Sequence, residues 1–280
     1  MLPDSPSVAE ALAEARGAIP PREARLLLRH VLNCAHAALA AHPEWVLTLE
    51  EAAGFRDLVA RRAAGEPVAY LTGSCEVYGR PFAVTPQVLI PRPETELLVD
   101  LALTFLGSRP VASVLDLGTG SGILAVTLAL EAPSARVAAV EASEAALEVA
   151  AANARTLGAA VRFLRGDWYA PLAGERFDLI VANPPYVAAA DPHLGQGDLR
   201  FEPRRALTDG SADGLASLRE IVAGAPAQLA PGGLLAVEHG YDQGEAVAAL
   251  FRNAGLGNVT GLTDLAGIPR VVHGTHAGRH

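Results

Sequence analysis

The residues of this chain whose types and spacing could do chemistry are Asn183-Pro184-Pro185-Tyr186. They follow a short apolar run, Leu179-Ile180-Val181-Ala182, that reads as a buried strand. Two prolines remove two backbone donors and fix two φ angles, so the strand cannot continue. Pro184 also forces Asn183 into extended geometry. The expected result is a rigid lip at the carboxyl end of a strand, where open α/β sheets bind ligands. The Asn183 side-chain oxygen and the Pro184 carbonyl can together accept both hydrogens of a planar –NH2 group. Tyr186 offers a flat face to a planar substrate. A nitrogen gripped by both hydrogens turns its lone pair toward an electrophile. The same four residues could also be a turn that merely ends a strand, and the preceding chain decides between the two.

Gly118-Thr119-Gly120-Ser121-Gly122 follows the apolar stretch at 113–117 and opens a helix over 123–131. Glycines at alternate positions let the backbone approach a ligand closely at a helix N-terminus. The spacing is Gly-x-Gly-x-Gly, not the dinucleotide fingerprint Gly-x-Gly-x-x-Gly. Glu141 ends the next strand, 19 residues beyond Gly122, where a carboxylate can accept both hydroxyls of a ribose. Asp167 and Trp168 end the strand after that, placed to meet an adenine amine and its ring face. No lysine or arginine sits in the glycine loop to receive a pyrophosphate. An adenosine ligand without phosphates fits better, and S-adenosylmethionine is the candidate.

The elements that position these residues are βα units. Strands are expected over 113–117, 136–140, 161–164 and 179–182, with helices over 123–131 and from Ser143 to Gly158. Repetition of this unit predicts a parallel sheet with helices on both faces. Pro231-Gly232-Gly233 reads as a turn into a strand over 234–237. A helix over 215–229 precedes it and one over 243–253 follows. Residues 259–262 and 270–273 form a terminal strand pair. Residues 188–205 are loop-rich and are expected to close over the substrate.

Ahead of this core, residues 1–73 read as helical. Ser7 with Glu10, and Thr48 with Glu51, are capping boxes. Pro20-Pro21 open a helix whose Ala24, Leu27, Leu28, Val31 and Leu32 follow one stripe. No catalytic constellation lies there, so this domain is either a stabilising cap or a docking surface for a macromolecule, and docking is the preferred reading. Residues 74–92 are expected to form a β-hairpin linker around Gly79-Arg80-Pro81, and residues 93–280 the main domain. Within it a helix covers about 94–106.

Composition excludes several classes. All 22 basic residues are Arg, so Schiff-base chemistry and a P-loop lysine are absent. The net charge of −9 gives no basic stripe for nucleic acid. The adjacent pairs Arg61-Arg62 and Arg204-Arg205 read as solvated surface. No apolar run is long enough to span a membrane, and no signal peptide is visible, so a cytoplasmic protein is expected. Cys34 and Cys75 are expected to be free. No metal-ligand pattern is present. His273, His276 and His280 read as a frayed tail rather than a metal site.

Asp116-Leu-Gly-Thr-Gly-Ser-Gly122, Glu141, Gly166-Asp167-Trp168 and Asn183-Pro-Pro-Tyr186 resemble the class I S-adenosylmethionine-dependent methyltransferases that act on planar nitrogen. Leu89-Ile90-Pro91-Arg92-Pro93-Glu94-Thr95-Glu96 narrows the resemblance, with Ala69-Tyr70-Leu71-Thr72-Gly73, Phe201-Glu202-Pro203 and Val237-Glu238-His239-Gly240 beside it. Together they resemble the release-factor glutamine methyltransferases of the HemK or PrmC type, over nearly the whole chain. The ribose acid of that family is commonly Asp, and Glu141 is one methylene longer. The resemblance implies a Rossmann-like seven-stranded sheet, with a small N-terminal helical domain joined by a β-hairpin. It implies S-adenosylmethionine held by Gly118, Thr119, Gly120, Ser121, Gly122, Glu141, Asp167, Trp168 and Asn183, with S-adenosylhomocysteine as product. It also implies catalysis by Asn183, Pro184, Pro185 and Tyr186, with the Gly-Gly-Gln glutamine of peptide chain release factors as the substrate. A monomer without direct nucleic-acid contact is expected. A ribosomal-protein glutamine or a nucleic-acid amine remains the alternative acceptor.

Overall fold

The computed structural model describes residues 5–109, 111–172 and 174–277, apart from the side chain of His36. The chain divides into two compact units.

The first unit holds the helices α1 (Val8–Glu14), α2 (Pro21–Leu32), α3 (His36–Ala41), α4 (Leu49–Ala63) and α5 (Val68–Thr72). Both capping boxes are present: Ser7 and Thr48 each accept the N3 backbone N–H, and Glu10 and Glu51 each accept the cap N–H in return. The apolar stripes meet in one core around Leu27, Leu28, Leu47 and Phe55. The short segment Gly197–Phe201 belongs to this unit although it is far away in sequence. Arg62 holds it: the guanidinium donates to Glu23 on one side and to Asp198 at 2.8 Å on the other. Arg62 is therefore a largely buried cross-link, not the solvated surface charge expected from its pairing with Arg61.

The second unit begins at Cys75, inside the hairpin of β1 (Ser74–Val77) and β2 (Arg80–Ala83). The hairpin is not a loose linker. Phe82 and Val77 are buried in the core of the main sheet. Each contributes roughly 1.5–3 kcal/mol of burial. Asn153 clamps Ala83 from both sides, its carbonyl accepting the Ala83 N–H and its amide donating to the Ala83 oxygen.

The sheet that follows contains β3 (Ser113–Leu117), β4 (Arg136–Glu141), β5 (Val161–Arg165), β6 (Phe177–Ala182), β7 (Leu229–Glu238), β8 (Leu256–Thr263) and β9 (Pro269–His276). Their order is β5-β4-β3-β6-β7-β9-β8. The first five run parallel, and β9 then pairs antiparallel with both β7 and β8. The βα units thus form the parallel part of the sheet as expected, and the expected terminal strand pair closes one edge as an antiparallel hairpin. His273 and His276 lie within β9 rather than in a frayed tail, and His280 lies outside the described residues. Pro231-Gly232-Gly233 is no turn before β7 but an irregular stretch inside it: two residues of β6 span five of β7 there.

Helices α6 (Glu96–Leu106), α7 (Ile123–Glu131), α8 (Glu144–Leu157), α9 (Arg204–Leu207), α10 (Ala216–Gln228) and α11 (Gly244–Asn253) complete the unit. Two buried layers flank the sheet, one around Leu98, Val114 and Leu128, the other around Leu115, Ile180 and Phe251. The expected helix over 94–106 begins as one 3-10 turn, Pro93–Thr95, and becomes α6 at Glu96. Cys34 and Cys75 are free. Among the described residues, no helix is long and apolar enough to cross a membrane.

Candidate active site

The parallel strands end at one edge of the sheet, and a cavity opens there. It is lined by the segment before α6, the loop after β3, the end of β4, the turn after β5 and the lip after β6.

The loop after β3 keeps its shape by backbone conformation. Gly118, Gly120 and Gly122 all have positive φ, at 70°, 57° and 86°. A side chain there would be strained. Gly118, Thr119, Gly120 and Ser121 line the cavity, whereas Gly122 does not. Gly122 serves packing: a Cβ on it would meet Ala150 of α8 at 3.1 Å. Asp116 anchors the loop from beneath. Its Oδ2 accepts from the Thr119 hydroxyl at 2.5 Å and from the Ala125 N–H at 3.2 Å. Full burial pushes the Asp116 carboxyl up to about 7, against the pull of those bonds.

Glu141 stands at the cavity wall. Its Oε2 accepts from the Gly120 N–H and its Oε1 from the Ser143 N–H, both at 2.9 Å. Each carboxylate oxygen keeps a second lone pair for a ligand. Asp167 and Trp168, in the turn after the neighbouring β5, line the cavity too. Trp168 adopts φ 41°, a left-handed conformation rare for a bulky residue and common where function demands it. The turn lays the indole against the glycine loop, where a Cβ on Gly118 would lie 3.3 Å from the ring. Arg205 also lines the cavity and donates to the Ser143 hydroxyl. Arg204 and Arg205 are both exposed, as their pairing suggested, and nothing local in the sequence marks Arg205 as a residue that also borders the cavity.

Of the lip, Asn183 and Pro185 line the cavity, and Pro184 and Tyr186 do not. Pro184 is buried. Tyr186 is partly buried and packs against the core layer that includes β7. Its hydroxyl donates to Glu238 Oε1 at 3.1 Å. Burial and the neighbouring carboxyl of Glu238 push the phenol well above its ordinary range. Gln243 donates to the Tyr186 carbonyl at 2.9 Å, which pins the backbone end of the lip. Asn183 donates through Nδ2 to the Thr95 hydroxyl at 3.1 Å, and Thr95 donates to Glu238 Oε2 at 2.8 Å. Burial raises the Glu238 carboxyl to about 7, although the Thr95 and Tyr186 bonds oppose this.

The segment before α6 is fixed by Glu202, whose side chain is fully buried. It accepts the Ile90 N–H at 2.9 Å and pairs with Arg92. Thr95, Glu202 and Glu238 sit inside strings singled out above only for resemblance. Their partners lie 143, 110 and 52 residues away in sequence, beyond any local pattern.

A sheet of this order, with a glycine loop after its first parallel strand and an acid at the end of the next, defines a class I S-adenosylmethionine-dependent methyltransferase. A methyltransferase from Pyrococcus furiosus shares the fold, with a TM-score of 0.54 at 18% identity over 78% of this chain and 98% of that one. The chain also matches the PrmC N-terminal domain over residues 7–73 and the methyltransferase small domain over residues 95–197. A release factor glutamine methyltransferase of Bordetella pertussis is 56% identical over 91% of this chain and 95% of its own length. One of Burkholderia pseudomallei is 52% identical over 96% of each. The chain belongs to the release factor glutamine methyltransferase family.

Proposed function

We propose that this enzyme methylates the side-chain nitrogen of the glutamine in the Gly-Gly-Gln motif of peptide chain release factors, with S-adenosylmethionine as donor. One observation carries the reading: Asn183 lines the cavity while its own –NH2 is engaged by Thr95, so its carbonyl oxygen is the end left to accept from a ligand.

The cavity suits an adenosine ligand on its own chemistry. Glu141 has lone pairs to spare for two hydroxyls, Trp168 and the glycine loop form a flat wall, and no cation sits in the loop. When bound, S-adenosylmethionine supplies a methyl group on a positively charged sulfur. The protein's part is to make a poor nucleophile react. An amide nitrogen is weak because its lone pair is delocalised into the carbonyl. From the cavity wall, Asn183 Oδ1 accepts one N–H, which turns the nitrogen toward the donor and stabilises the positive charge that develops on it. No base of matched pKa is required, because the alkylated amide is acidic and loses one proton to solvent.

The N-terminal unit supports protein recognition in this reading. It has its own core and carries none of the cavity residues. The acidic net charge favours a protein acceptor over a nucleic acid. Mass spectrometry of purified release factor, after incubation with enzyme and S-adenosylmethionine, tests the proposal. A gain of one methyl on the Gly-Gly-Gln glutamine is expected. Methyl found on tRNA, rRNA, DNA or a ribosomal protein instead would overturn it.

A further inference from the structure

Glu238 and Thr95 are a buried pair that the proposed chemistry does not use. Glu238 is 1% exposed at the end of β7. Placing a carboxyl there costs several kcal/mol in desolvation, and an aliphatic residue would pack as well. Thr95 closes the 3-10 turn that runs directly into α6, with helical φ −67° and ψ −20°, and its hydroxyl makes no capping bond. Its proton goes to Glu238 instead.

These bonds have a direction. In its ionised form Glu238 only accepts, from Tyr186 through Oε1 and from Thr95 through Oε2. With its one proton committed to Glu238, the Thr95 oxygen can only accept from a third group. Only the –NH2 end of the Asn183 amide can satisfy it. The two ends of an asparagine side chain are almost the same size, so packing alone does not choose between them. A donor pointed at the cavity would repel the N–H bonds of a substrate amide. The chain Tyr186→Glu238←Thr95←Asn183 makes the choice. The surroundings hold it in place: Glu94 and Arg270 lie near Glu238, Asp264 accepts from Arg270 at 3.0 Å, and Tyr186 is pinned by Gln243.

We propose that Thr95 and Glu238 are positioning residues for methyl transfer: their directed hydrogen-bond chain fixes the Asn183 amide with its oxygen toward the acceptor nitrogen. The inference rests on the proposed function for its substrate, while the orientation itself does not.

The test compares Thr95→Val, Thr95→Ser and Glu238→Met with the wild-type full chain. Valine is nearly isosteric with threonine and lacks the hydroxyl, whereas serine keeps it. With release factor as substrate, Thr95→Val and Glu238→Met are expected to lower kcat about 10- to 100-fold, the scale of a misplaced reacting group. KM should move little, because docking of the whole release factor sets it. Thr95→Ser should recover most of the lost rate. Independently of turnover, the side-chain –NH2 protons of Asn183 are read by NMR and assigned by their disappearance in Asn183→Ala. In wild type and Thr95→Ser one of them should show a hydrogen-bonded shift, and in Thr95→Val it should not. If folded Thr95→Val or Glu238→Met turned over at the wild-type rate, or if the Asn183 signal were unchanged in Thr95→Val, the positioning role would be overturned. Equal loss in Thr95→Val and Thr95→Ser would overturn it as well. A wild-type enzyme that failed to methylate the release factor would refute the proposed function, and the NMR comparison would then decide the orientation alone.

Discussion

Glu141 Oε2 accepts the N–H of Gly120 at 2.9 Å, which ties the end of β4 to the middle of the glycine loop. One side chain thus shapes the loop and faces the cavity that the loop encloses. Its other oxygen accepts the Ser143 N–H, so the carboxylate is bonded to the loop and to the turn after β4 together.

Glu141→Ala is therefore expected to weaken S-adenosylmethionine binding by about 1.5–3 kcal/mol, the range for hydrogen bonds to a charged group. Isothermal titration calorimetry measures it directly. Unchanged affinity would remove Glu141 from the binding site.

The N-terminal unit carries none of the residues that line the cavity. A chain beginning at Cys75 is expected to keep its cofactor affinity and lose most of its kcat/KM on intact release factor. Circular dichroism and thermal melting establish that the shortened chain is folded. Full kcat/KM in that folded chain would show that the helical unit does not recognise the substrate.

The extent to which this site was legible in the sequence follows from the range of the interactions involved. Local signals were readable. Ser7 and Thr48 cap their helices as spaced, and the apolar run at 179–182 is the buried end of β6. The glycines at 118 and 120 take the positive φ angles that only their lack of a side chain makes cheap. Long-range pairings left no periodic trace. Thr95 and Glu238 are 143 residues apart, and neither has a neighbour in sequence that betrays the other. Tyr186 reads from the sequence as a flat face for a planar substrate, and its hydroxyl bond to Glu238 is not part of that reading. A buried carboxyl that could accept its hydroxyl was not visible from 52 residues away. Pro231-Gly232-Gly233 carries turn residues and has no paired partner in either ladder; the register shifts there and regular pairing with β6 and β9 runs from Leu234.

Buried carboxyls give the fold a definite response to pH. Asp116 ordinarily titrates at 3.8, and in the folded protein it is raised to about 7. Between these values the folded state holds a proton that the unfolded state has lost. This group's contribution to stability therefore falls as pH rises from about 4 to about 7 and is flat above. Glu238 acts in the same direction. His239 and His273 are held below their ordinary range by burial and act in the opposite direction, favouring stability as pH rises. A difference measurement separates them. Relative to Asp116→Asn, wild type should lose up to about 4 kcal/mol of stability between pH 4 and pH 8. Urea unfolding at several pH values reads this difference, and parallel curves for the two proteins would contradict it.

Single-turnover methylation of release factor by wild type and Asn183→Ala, with cofactor affinity measured alongside, tests the chemistry most directly. Asn183→Ala removes the acceptor that Thr95 holds in place. The rate of the chemical step is expected to fall about 10²–10³-fold, the loss seen when one preorganised polar contact is deleted from an electrostatic site. Cofactor affinity should change little, because the glycine loop and Glu141 supply most of that wall of the cavity. Methylation by Asn183→Ala at the wild-type rate would reduce the lip to a turn at the end of β6 and contradict the mechanism.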